Sequence, residues 1–178
     1  MVTPSCRTLG VALLAAAITG CSSGTVAGDE ASPATDAVRT VQIDDRSHVD
    51  GEVVYRDTPP LGGPHAPIWV NCGRYDQEVP DELAVHALEH GAVWITHPVD
   101  IGENDLAVLD DLAASQSHVL VSPLPSATRV VATAWGAQLE LDGVKDPALA
   151  VFVETYLQGP QTPEPGAPCT GGVGQPVV

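Results

Sequence analysis

The chain has 178 residues, with 23 acidic side chains against 7 basic ones and a formal net charge of −16. That charge excludes nucleic acid as a partner, because phosphate binding needs clustered Lys and Arg. A hydrophobic content of 44% excludes bulk disorder, and Met1, the one methionine, excludes a Met-rich copper(I) site.

Residues 1–20 read as a secretion leader. Arg7 supplies a positive start, and Leu9 to Ile18 is an apolar run of ten, too short to span a bilayer. The run ends in Ile18-Thr19-Gly20-Cys21, which resembles a bacterial lipobox. The resemblance implies cleavage before Cys21, diacylglycerol on its sulfur, and a location at the cell membrane, lipid-anchored, on the extracytoplasmic face. The protein's own negative charge should hold its body off anionic headgroups. Residues 21–45, small, polar and acidic after the cysteine, are expected to be a flexible tether. With Cys6 lost in the leader and Cys21 lipidated, Cys72 and Cys169 remain. Outside the cytoplasm such a pair is expected to form a disulfide; the alternative is two free thiols acting as metal ligands.

A single globular domain is expected over 46–158, followed by a Pro/Gly-rich tail, 159–178, pinned back by Cys169. Residues 51–56 predict a short strand. Residues 57–79, with Pro59-Pro60, Gly62-Gly63-Pro64 and Pro67, predict a long ordered loop, since Trp69 and Tyr75 suit a packed segment. A helix follows over 80–90, with Pro80 at its first position, Asp81 and Glu82 complementing its positive end, and Gly91 as the stop. Residues 92–97 predict a strand, 103–115 a helix striped by Leu106, Leu109, Leu112 and Ala113, and 118–122 a short buried strand. Residues 129–135 and 137–142 predict strands, and Asp146-Pro147 opens a last helix that stops at Gly159-Pro160. The β-α-β step implies parallel strands, and the β-β step antiparallel ones. The fold class is therefore α+β, a small mixed sheet with about three helices packed on it; the alternative is a thioredoxin-like α/β fold, without that fold's Cys-x-x-Cys chemistry.

The chemistry concentrates in His86-Ala87-Leu88-Glu89-His90. On a helix, His86 and His90 lie roughly 40° apart, one turn above the other, and Glu89 lies about 60° to one side of His86. Two imidazoles so spaced can share a divalent ion. His65, in a turn-rich loop before the helix, and His48, near the domain start, bring the donors to the three or four that zinc asks for, and copper(II) accepts the same nitrogens. The bland alternative is His90 stabilised at the helix C-terminus and His86 on a loop carbonyl. His97 and His118 are expected to be surface or capping residues. The spacing also fits H-x-x-E-H zinc hydrolases, in which two His hold zinc and Glu activates water. No nucleophile elbow and no phosphate-binding loop is present, and the lone Lys145 precedes Asp-Pro, so the chain reads as non-catalytic.

Several blocks, in order and well separated, resemble domain-of-unknown-function family 3105, found in bacterial membrane-anchored and lipoprotein chains. They are Tyr55-x-x-x-Pro59-Pro60-x-Gly62-Gly63-Pro64-His65, Trp69-x-x-Cys72-Gly73-x-Tyr75, Val85-His86-Ala87-Leu88-Glu89-His90-Gly91-Ala92-Val93 and Thr133-Ala134-Trp135. His48 before Val49 resembles the family's upstream His, whereas His97 stands where the family more often has Tyr. The resemblance implies that His65, Glu89 and His90 belong to the motif core and supplies no activity. Two accounts follow. In the first, His65, His86 and His90, with His48 or Glu89, hold zinc or copper(II). In the second, Trp69, Tyr75 and the helix form a docking surface for an envelope protein, without metal.

Overall fold

The computed structural model describes residues 38–178. The expected leader, Cys21 and the tether as far as residue 37 lie outside the described residues. The elements run β1 (Arg39–Thr40), β2 (Gly73–Arg74), α1 (Asp81–Glu89), β3 (Val93–His97), α2 (Glu103–Ser115), β4 (Val119–Pro123), β5 (Val130–Ala134), β6 (Ala137–Leu141) and α3 (Pro147–Tyr156). The strands form one mixed sheet in the order β1-β6-β5-β3-β4-β2. This is the expected small α+β architecture.

Strands β3 and β4, joined through α2, are parallel, with Trp94 beside Leu120 and Ile95 beside Val121. β5 returns on the other side of β3, antiparallel, with Trp94 beside Thr133. It then turns through Trp135-Gly136 into β6. Gly136 has φ +68°, and a Cβ there would lie 2.7 Å from the Val41 carbonyl, so the turn needs glycine for both reasons.

Alternation along β3 and β4 explains the layers. Val93, Ile95, Val119 and Val121 pack with Leu109 of α2 and Phe152 of α3. Trp94 and Leu120 point the other way and pack with Val85 and Leu88 of α1. The central strands are buried on both faces, which is why they read as continuous apolar runs rather than alternating ones. Trp94 keeps its indole N–H satisfied in that interior by donating to Ser122 Oγ at 3.0 Å. Among the described residues no helix is long and apolar enough to cross a membrane.

Several expectations are corrected. Residues 51–56 form no strand, and Val54 is 94% exposed. The sheet edges are already taken by β1 and β2, so an isolated Val-Val pair finds no ladder to join. Val53 N–H instead donates to the Glu82 carboxylate at 2.8 Å. Residues 38–45, expected as free tether, are held: Arg39–Thr40 pair with β6 and Val41 N–H donates to Gly136 O at 2.8 Å. Pro80 is the N-cap of α1, in extended conformation, rather than its first helical residue. Asp146 caps α3 as expected, accepting from Ala148 N–H at 2.9 Å.

Candidate metal centre

Helix α1 lies against the sheet through Ala84, Val85, Ala87 and Leu88. That burial fixes its rotation and carries His86 and Glu89 along its border. The loop before it crosses the helix start, with Ala66 N–H donating to Glu82 O at 3.3 Å and Val70 N–H to Leu83 O at 3.2 Å. This brings His65 over the helix. His48 joins through a short parallel pairing, in which His65 N–H donates to Ser47 O at 3.0 Å and Val49 N–H to His65 O at 2.8 Å. Three segments, far apart in sequence, thus deliver one donor group each or two.

The donor atoms of His48, His65, His86 and Glu89 all lie within 4.8 Å of one another. The rings of His48, His65 and His86 are mutually adjacent, with centroids 4.8 to 4.9 Å apart. His65 Nδ1 meets Gly63 O at 2.8 Å and His86 Nδ1 meets Ala66 O at 2.7 Å. A carbonyl only accepts, so each Nδ1 carries the proton and each Nε2 presents its lone pair. His65 Nε2 lies 3.0 Å from Glu89 Oε2, yet it is buried and has no hydrogen-bond partner. The two atoms approach without aiming at each other. Donors around a zinc ion with bonds of ~2.0–2.1 Å stand roughly 3.3 Å apart in this way. His48 Nε2 lies 3.7 Å from the same oxygen.

Electrostatics point the same way. Glu89 is 97% buried, being 3% exposed, and among the described residues the only basic groups within 4 Å of its carboxylate are the imidazoles of His48 and His65. An ionised carboxylate withdrawn from water needs a compensating cation. Burial pushes His86 down to about 4, with the neighbouring His90, His65 and His48 adding to the effect against the Ala66 hydrogen bond. His86 therefore stays neutral, the form that binds metals, far below its ordinary range.

The remaining predicted residues fall elsewhere. His90 is not among the four. It caps α1, its Nδ1 meets Pro168 O at 2.7 Å, and its Nε2 faces Glu164 Oε2 at 3.5 Å. The His90 ring lies 4.7 Å from that of His86, centroid to centroid, while the mutually close donor set takes in Glu89 with the imidazoles of His48, His65 and His86. His97 and His118 are buried rather than on the surface, one on Pro98 O and the other on Ala167 O and Ser117 Oγ. Trp69 is half-buried beside the centre, its ring 5.5 Å from His86 and 4.6 Å from His90. Tyr75 O–H donates to Asn71 O at 2.8 Å and tightens the same loop. Trp135, not singled out for the site, meets His65 edge-on at 6.0 Å. The disulfide joins Cys72 to Cys169, so the free-thiol alternative is set aside.

Neither a curated protein nor a solved structure matches the chain significantly. A family profile described as "Protein of unknown function (DUF3105)" matches residues 48–171, a span that takes in the four clustered donors and both disulfide cysteines. The chain belongs to the DUF3105 family.

Proposed function

We propose that the protein is a lipid-anchored, extracytoplasmic module that holds one divalent transition-metal ion, zinc or copper(II), without catalysis. Support comes above all from one observation: the buried, unpartnered Nε2 of His65 beside the buried Glu89 carboxylate, at the point that His48 and His86 also face. The donor set of three imidazoles and one carboxylate suits both metals. Glu89 would supply the negative charge that makes the pocket favour a dication over water. His65 and His86 would bind through Nε2, with their tautomers set by Gly63 O and Ala66 O. The side chain of His48 is 48% exposed, so the ion would come and go on that side.

The test is elemental analysis of the purified chain, followed by calorimetric titration with zinc and with copper(II) at neutral pH. About one equivalent, bound or taken up, is expected for a four-donor site. Metal-free protein that takes up neither ion would end this reading. The anchor rests on Ile18-Thr19-Gly20-Cys21 and is checked by the mass of the N-terminal peptide, which should carry acyl chains on Cys21.

A further inference from the structure

The segment after α3 contributes no helix or strand to the sheet, yet it holds two walls of the centre, the end of α1 and the Trp69 loop. Glu164 N–H donates to the main-chain carbonyl of Glu89 at 3.1 Å. Pro168 O accepts from His90, the residue next to Glu89, at 2.7 Å. Together these fix the last turn of α1, which carries Glu89. Further on, the segment grips the loop that covers His86. Val173 N–H donates to Trp69 O at 3.0 Å, Asn71 N–H to Val173 O at 2.8 Å, and Gly172 N–H to Asn71 Oδ1 at 2.9 Å. The approach is close enough that a Cβ on Gly172 would lie 2.3 Å from Trp69 O and 2.8 Å from its ring. Between these two grips sits the Cys72–Cys169 bond, reinforced by Cys72 N–H donating to Cys169 O at 2.8 Å.

Resting on the metal-holding reading above, we propose that residues 159–178 are a disulfide-locked clasp on the cation centre, so that opening the disulfide weakens cation binding and a bound cation protects the disulfide. The two halves are one statement, because coupling between two equilibria is reciprocal. Unlocked, the segment can leave together with its hydrogen bonds, the α1 end and the Trp69 loop gain freedom, and the four donors must be ordered at the moment of binding. The chemical step is thiol–disulfide exchange with a dithiol: two electrons and two protons pass to the sulfurs of Cys72 and Cys169, giving two thiols, and the dithiol becomes a disulfide.

The test measures zinc affinity, by competition with a chromophoric chelator, for the native full-length chain and for the Cys72→Ser/Cys169→Ser double variant, which has no thiol in this pair to bind zinc itself. Circular dichroism reports whether the variant is folded. A folded variant with affinity lowered roughly tenfold is expected; a folded variant that binds zinc as the native chain does overturns the clasp. If the double variant does not fold, Gly172→Ala decides, since it wedges the clasp off Trp69 with the disulfide intact. Weaker zinc binding by that variant supports the clasp, and unchanged binding overturns it. In the reciprocal arm, reduction by a water-soluble phosphine, which takes oxygen from water as the sulfurs take up electrons and protons, should be slower with zinc bound; equal rates count against the clasp. A native chain that binds no zinc sinks the underlying reading as well, whereas tight zinc binding indifferent to the disulfide sinks the clasp alone.

Discussion

Glu89 is the side chain on which the two physical readings of the centre diverge most. If it only pairs with protonated imidazoles, removing its charge strips a buried ion pair and destabilises the fold. If it waits for a cation beside neutral imidazoles, the charge is a burden on the metal-free protein and an asset to the loaded one. Glu89→Gln should therefore lower zinc affinity by at least about tenfold while leaving the metal-free melting temperature unchanged or higher. A drop in that temperature with zinc affinity intact would favour the ion pair. His48→Ala separates the exposed donor from the buried ones. Its side chain is half exposed, so stability should move by no more than about 0.5 kcal/mol, and zinc should dissociate faster. Helical spacing makes His86, Glu89 and His90 neighbours but does not say which two face the same point. His90 meets Pro168 O, 78 residues away, and the mutually close donors are instead those of His48, His65, His86 and Glu89. No local pattern could have disclosed it.

At the scale of single elements, the longest periodic segments were the most legible. The Leu106, Leu109 and Leu112 stripe marks α2 at its observed bounds, and Asp146-Pro147 marks the start of α3. The two-residue strands β1 and β2 were not legible, because their pairing is decided by the edges β6 and β4 rather than by their own side chains. Helix α1 shows how a favourable local rule can be outweighed. Acidic residues in a first turn complement the helix dipole. Asp81, however, is pushed up to about 6, first by burial and then by the neighbouring Glu82 and Glu78 carboxylates. Between its ordinary value of 3.8 and about 6, the folded state binds more protons at this group than the unfolded state does. Stability from Asp81 therefore falls as pH rises through that window, and the ionised carboxylate costs stability at pH 7. Asp81→Asn should raise the melting temperature at pH 7, with the gain shrinking to nothing below about pH 4. A lower melting temperature at pH 7 would mean that the dipole term dominates.

Across the whole molecule, a net charge of −16 meets a surface that is itself negative if Cys21 places the protein on an anionic bilayer. On the proposed reading, the same charge would draw dications toward the centre and push the body away from headgroups. Attachment then has to come from acyl chains rather than from protein surface, and no described helix offers an alternative span. Two or more chains hold durably, whereas the body alone contributes repulsion. Cys21→Ala should therefore release the protein from the membrane fraction completely, with no residual salt-dependent association. Fractionation at low and high ionic strength checks this. Protein that stays on the membrane at low salt and leaves at high salt would reveal an electrostatic contact that the charge does not allow for. Protein that stays at both would mean that the variant, lacking the cysteine at which the implied cleavage acts, keeps residues 1–20, and the acyl mass on Cys21 of the native chain then decides the lipobox reading.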